Sequence, residues 1–342
     1  MPTAISDLTA SQQGSDVVLT FTLPKETVQR RPLKSPPAVE IYRDFSPPGS
    51  AIAKNLSLVV TIPPSLLGQY TEQGHIRYAD ALRAEDFAQH PGAQAVYSVR
   101  TRATEKKESE DSNLAAVPLI VPPQPISDAK AQVTHDAILL TWTAPTATVT
   151  NQPVTISGFR VYRSELEAAP SGAAAEAPKR KAPLALVGES DATTTSFADA
   201  HFTFGTSYEY SVRSVFPAGN ATLESDDSNL VDVTPRDIFP PSAPQGLEAV
   251  FVPAQAGAPA SVDLSWAINP ETDLAGYNIY RSEQQGARGE RLNAELLRTP
   301  AFRDMNALPG HLYYYTVTAV DTAGLESAAS APVSGGVPAN SQ

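Results

Sequence analysis

Three Tyr-Arg pairs are the residues best placed to do chemistry on another molecule. They are Tyr42-Arg43, Tyr162-Arg163 and Tyr280-Arg281, spaced 120 and 118 residues apart. A phenol ring beside a guanidinium fork offers an apolar face, a hydroxyl and several fixed donors. Both residue types are favoured at interfaces, so the repeat marks a candidate contact strip. The same pairs can be satisfied within the chain, with each Tyr packed on cross-strand neighbours such as Arg100 and Arg213. Both readings stay open on the sequence.

Bond-making chemistry has little to work with. The chain has no cysteine, which excludes disulfides, Cys-type zinc or iron–sulfur sites and thiol nucleophiles. No GxSxG, phosphate loop, GxGxxG or HExxH is present. His75, His90, His135, His201 and His311 show no ligand spacing. Carboxylates abound, but a pair hydrolyses only where a cleft splits two pKa values, and nothing predicts such a cleft. No catalytic residue, cofactor or metal site is therefore assigned. Asp111 with Asn113, and Asp226-Asp227 with Asn229, fit either weak calcium ligation through oxygen or polar turns. Lys179-Arg180-Lys181 reads as a solvated basic loop.

The elements that must position these groups form an internal repeat. Each copy opens with an alternating strand that carries one large aromatic, Phe21, Trp142 or Trp266, shortly before a Pro. Period-2 alternation of this kind reads as a half-buried strand. VEIYRD (39–44), GFRVYRSE (158–165) and GYNIYRSE (276–283) follow. Next come short strands ending in Asp: RYAD (77–80), SFAD (196–199) and AFRD (301–304). Tyrosine-bearing strands follow at 96–103, 208–215 and 313–320, and each copy closes with a polar turn and a last short strand. Between the second and third landmarks the middle copy carries an Ala/Pro-rich stretch, read as a mobile loop. ALRAEDFAQH (81–90) in the first copy reads as a short helix.

The formal net charge is −12, a poor basis for binding nucleic acid or anionic membranes. No apolar run approaches the roughly 20 residues of a membrane helix. Proline is 31 of 342 residues, well above the usual ~5%, which disfavours long helices. Pro clusters at 118–125 and 234–244 read as semi-rigid linkers.

In these landmarks the chain resembles the fibronectin type III family of immunoglobulin-like sandwiches. The resemblance implies an all-β protein of three tandem antiparallel β-sandwiches in a rod: 1–121 (divergent, with insertions), 122–238 and 239–342. It places Trp142, Trp266 and Phe21 at the sandwich centres. It turns Val39/Ile41, Phe159/Val161 and Tyr277/Ile279 inward. Tyr208 and Tyr313 match its tyrosine corner, where the first copy has Ala95. It also implies a non-enzymatic spacer and a protein- or glycan-contact surface in the bacterial envelope or outside the cell. The alternative is a carbohydrate-binding accessory of polysaccharide-degrading machinery. Met1-Pro2-Thr3 leads straight into the first strand, so an export signal, and with it a possible lipid anchor, is expected upstream of the given start.

Overall fold

The computed structural model describes residues 1–47, 56–104, 106–167, 179–219, 221–255 and 258–339. The chain divides into two compact units, Met1–Pro235 and Arg236–Gln342. The first holds two hydrophobic cores and the second holds one. Each core lies between two antiparallel sheets, giving tandem β-sandwiches.

In the first copy, β1 (Thr9–Gln13), β2 (Asp16–Phe21), β6 (His75–Ala81) and β5 (Thr71–Glu72) lie side by side in that order. The facing sheet runs β4 (Ser57–Ile62), β3 (Ala38–Ser46), β7 (Gln94–Thr104) and β8 (Lys107–Glu108), with β9 (Ala115–Pro118) also on β7. Between them lie Val17, Leu19 and Phe21 from one sheet and Val39, Ile41, Tyr97 and Val99 from the other, all fully buried. α1 (Ala84–Gln89) forms within the stretch expected to be helical and buries Phe87. Asp86 accepts the Arg83 N–H at 2.8 Å, one half of a capping box.

The second copy pairs β10 (Lys130–Val133), β11 (Ile138–Thr141) and β14 (Ser196–Asp199). Its facing sheet is β13 (Ala185–Asp191), β12 (Gly158–Glu165), β15 (Tyr208–Ala218) and β16 (Ala221–Glu224), with β17 (Val231–Val233) on β15. In the third copy β18 (Glu248–Val252), β19 (Ser261–Ser265) and β22 (Ala301–Asp304) make one sheet. β21 (Glu290–Arg291), β20 (Leu274–Ser282), β23 (Tyr313–Asp321) and β24 (Val333–Gly335) make the other. Trp142 packs edge-on against Phe159 and Trp266 against Tyr277, ring centroids 5.3 and 5.2 Å apart. Neither indole Nε1–H has a partner although both are buried. The expected tyrosine corners are present: the Tyr208 hydroxyl accepts the Thr203 N–H at 3.0 Å and Tyr313 accepts that of Leu308 at 3.4 Å.

The segment before each last strand is held by serine. Val99 and Thr101 N–H donate to Ser112 and Ser109 Oγ. Val212 and Ser214 use Ser228 and Ser225 in the same way, and Val317 and Ala319 use Ser330 and Ser327. Each hydroxyl in turn donates to the next residue's carbonyl. A pair of serines three apart thus takes over the ladder where the last strand stops, so no buried backbone donor is left open there.

Within the first unit the tip of the β1–β2 hairpin is fastened to the second copy. Gly14 N–H donates to the Glu224 carbonyl at 3.1 Å. Ser15 N–H and Oγ donate to Asp226 Oδ1 and Oδ2 at 2.7 and 2.6 Å. Gly14 has φ +60, and a Cβ there would lie 2.0 Å from Asp226 Oδ1. Only glycine meets both the left-handed backbone and the close approach. Buried Gln12 exchanges side-chain hydrogen bonds with the backbone of Ile120, 2.6 Å as donor and 3.0 Å as acceptor. The start of the first Pro-rich linker is thereby held to the same hairpin.

Candidate functional site

The three Tyr-Arg pairs sit on β3, β12 and β20, the third strands of their copies, each bordered by a tyrosine-bearing strand. Alternation sends the two residues of a pair to opposite faces. The tyrosines take the outer face and the arginines reach round to the sandwich edge.

Each arginine meets an aspartate at the end of a strand of the other sheet, the last residue in β14 and β22 and the last but one in β6. Arg43 donates to Asp80 at 2.7 Å, Arg163 to Asp199 at 2.6 Å and Arg281 to Asp304 at 2.9 Å. A fully buried tyrosine hydroxyl donates to the same carboxylate oxygen: Tyr97 at 2.7 Å, Tyr210 at 2.8 Å and Tyr315 at 2.9 Å. The second oxygen of Asp199 accepts the His201 N–H, and that of Asp304 accepts the Asn306 N–H. These aspartates are 2–4% exposed, and a buried carboxylate is tolerable only with such partners. Each guanidinium also lies over a ring, Phe45, Tyr208 or Tyr313, 4.7–4.9 Å from its centroid.

The outer tyrosines are engaged as well. Arg100 covers Tyr42 at 5.1 Å and Arg213 covers Tyr162 at 4.3 Å. These are the cross-strand neighbours that sequence names. The third copy has Thr318 in that place, and Arg288 covers Tyr280 at 4.5 Å from a loop. Each hydroxyl donates to a glutamate: Tyr42 to Glu40 at 3.0 Å, Tyr162 to Glu224 at 2.8 Å and Tyr280 to Glu326 at 2.7 Å. Tyr42 and Tyr162 are half-buried and Tyr280 is buried.

Burial, reinforced by the hydrogen bond to Glu224, pushes the Tyr162 phenol up to about 12. Burial and the Asp80, Asp199 or Asp304 carboxylate push Tyr97, Tyr210 and Tyr315 up further. The folded state therefore holds the neutral phenol. Its contribution to stability is complete below the unfolded pKa of about 10 and is lost as pH rises through the raised folded values. We expect alkaline unfolding to begin above pH ~10, with tyrosinate absorbance of these four rings rising only as circular dichroism reports unfolding. Full ionisation of all 12 tyrosines near pH ~10 in a still-folded chain would contradict these contacts.

The polar loops are also spoken for. Asp111 pairs with Arg100, and Asp227 with Arg213 at 2.7 Å. Asn113 bonds both backbone groups of Leu8, and Asn229 both of Ala129. These side chains serve as ties, as the polar-turn reading requires. Arg180 pairs with Glu209 and Lys181 with Glu165 at 2.9 Å. All three residues of the basic cluster are exposed, as the solvated-loop reading has it, and these two also meet carboxylates. The Ala/Pro-rich stretch 168–178 just before it lies outside the described residues. Sequence reasoning missed the roles of Asp80, Asp199 and Asp304 and of the serine pairs. The recurring terminal Asp and the S-x-x-S spacing are the signals that carry them.

No family model matches the chain. It is similar to exoglucanase B of Cellulomonas fimi, 29% identical over 264 residues, which is 75% of this chain and 20% of that protein. It is similar to an amylopullulanase of Thermoanaerobacterium thermosulfurigenes, 39% identical over 90 residues, 26% of this chain and 4% of that protein. An amylopullulanase of Thermoanaerobacterium saccharolyticum is 40% identical over 87 residues, 24% of this chain and 6% of that protein. The chain thus spans a fifth or less of the length of the curated relatives it matches. Among solved structures it is similar to a Fn3-like protein from Clostridium thermocellum. The identity is 30%, covering 94% of that chain and 29% of this one, with a TM-score of 0.24.

Proposed function

This chain belongs to the fibronectin type III family, and on that premise we propose that it is a non-catalytic spacer segment of polysaccharide-degrading machinery working outside the cytoplasm. One observation carries the reading. Similarity to exoglucanase B runs through 75% of this chain yet only 20% of that protein, as expected of a run of modules carried by a larger enzyme. The sandwiches 1–121, 122–238 and 239–342 are its working parts, and their task is geometric: rigid bodies that hold other modules apart.

The surface favours a spacer over a sugar-binding platform. Stacking on sugar rings needs open aromatic faces in a row. Among the described residues every Trp, Tyr and Phe is buried or half-buried. The Tyr42-Arg43, Tyr162-Arg163 and Tyr280-Arg281 strip is held by internal carboxylates and by covering guanidinium groups. A partner there would have to displace bonds already made, at a cost of about 1 kcal/mol or more each. Partners are therefore the chain's covalent neighbours before any free glycan.

Retention on insoluble cellulose and on granular starch tests this directly. The expected outcome is no saturable binding to either and no sugar release from a panel of glucans. Saturable retention would favour the carbohydrate-binding alternative, and turnover would overturn the non-catalytic reading.

A further inference from the structure

Within the Arg236–Gln342 unit, three aspartates from separate parts of the chain meet. Asp237 lies in the Pro-rich segment that begins the unit. Asp273 directly precedes β20, and Asp321 ends β23. One carboxylate oxygen from each lies within 4.8 Å of the other two. No lysine or arginine pairs with any of them among the described residues. Asp321 is 2% exposed. Its Oδ1 accepts the Leu325 N–H at 2.8 Å, whereas its Oδ2 is buried without any partner. A buried carboxylate with one unpartnered oxygen, gathered with two further carboxylates, is an uncompensated arrangement, and a positive charge placed among them is what would complete it.

The second copy shows that the fold itself does not require these acids. By strand register Phe216 occupies the place of Asp321, and Thr155, three residues before Gly158 as Asp273 is before Gly276, stands in the place of Asp273 in the sequence. Phe216 is an ordinary buried apolar residue there. The sandwich can therefore close at this corner without carboxylates, and their gathering in the third copy calls for its own reason.

We propose that Asp237, Asp273 and Asp321 form a calcium-binding site that clips the Pro-rich entry segment onto the third sandwich. The ligand set selects the ion. It contains only carboxylate oxygens, which suit hard cations over zinc or copper. Oxygens within 4.8 Å of one another lie inside the span that one Ca2+ bridges at about 2.3–2.6 Å each, and three protein carboxylates suit Ca2+ better than Mg2+, which keeps several waters and is usually held by only one or two. Three protein carboxylates leave the remaining positions to backbone carbonyls or water. The expected affinity is that of calcium sites in extracellular modules, Kd about 0.1–1 mM. The sequence hides the site because its members lie 36 and 48 residues apart.

The test uses the full chain, stripped with EDTA, in a W142F background so that Trp266 alone reports on this unit. About 10 mM CaCl2 should raise its unfolding midpoint by about 5–10 °C. D237N and D273N should weaken calcium binding at least about tenfold and remove most of the rise. Both carry the change on half-buried side chains, so the fold persists without calcium; D321N, more exposed to misfolding, is the third variant. An unresponsive parent chain, or a D273N chain that responds as fully as its parent, would overturn the site. Neither outcome bears on glycan retention, so this inference and the spacer reading fail separately.

Discussion

Asp304→Ala is expected to destabilise the Arg236–Gln342 unit by about 3–5 kcal/mol, the usual cost of removing one partner from a buried charge pair. The carboxylate is 2% exposed and accepts from Arg281, from the Tyr315 hydroxyl and from the Asn306 N–H. Alanine leaves a buried phenol O–H and a largely covered guanidinium without an acceptor, and the desolvation they suffer on folding goes unanswered. Asp263→Ala is the control. Its bidentate pair with Arg303 is geometrically as good, 2.6 and 2.7 Å, but both side chains stand in solvent. That solvent-screened pair should contribute little, so its loss should barely move the unfolding midpoint. Urea unfolding followed at Trp266 in a W142F background measures both variants. Equal losses would mean that burial is not what gives the Arg–Asp–Tyr cluster its weight.

Trp266→Ala should cost a similar ~3–5 kcal/mol, because it empties the centre of a core that packs around the indole. Trp266→Phe should stay within about 1 kcal/mol of the parent. The smaller ring forfeits some contact, but it also removes a buried indole N–H that has no acceptor, a group whose desolvation ordinarily costs about 1–3 kcal/mol. The first copy already makes this exchange: Phe21 holds the equivalent place at 0% exposure. Thermal or urea midpoints decide the matter. A Phe variant as damaged as the Ala variant would show that the indole shape, and not its apolar bulk, organises the core.

What the sequence reveals depends on how far apart interacting residues lie. Strand alternation is local, so the inward residues Val39/Ile41, Phe159/Val161 and Tyr277/Ile279 are each 0% exposed, as their period-2 pattern requires. The tyrosine corner spans five residues and is equally plain. The Arg–Asp–Tyr cluster joins three strands from two sheets. Its aspartates recur visibly, but nothing local distinguishes them from strand-end caps. The glutamates that hold the outer tyrosines are harder still. Glu40 lies on the same strand as its tyrosine, Glu224 on β16 and Glu326 beyond β23. Glu224 and Glu326 share one position, directly before the first serine of each pair and opposite Val215 and Val320, but the first copy turns its Glu108 there to Arg102 and meets the tyrosine from Glu40, so the repeat shows the position and not its use. The serine pairs fall between these cases: SEDS and SDDS look like acidic turns until the third copy's SAAS strips them to the two bonding residues.

The fastening of the Gly14-Ser15 tip to Glu224 and Asp226 sets where such a chain can be cut and rejoined as genes recombine. A crossover in the first proline cluster would part the hairpin from the acid that receives it, exposing Asp226 on one product and two unmet backbone donors on the other. A crossover just past Pro235 severs none of these bonds. The exchangeable cassette is the leading pair of sandwiches taken whole, and lineages that shuffle these segments should inherit that pair together.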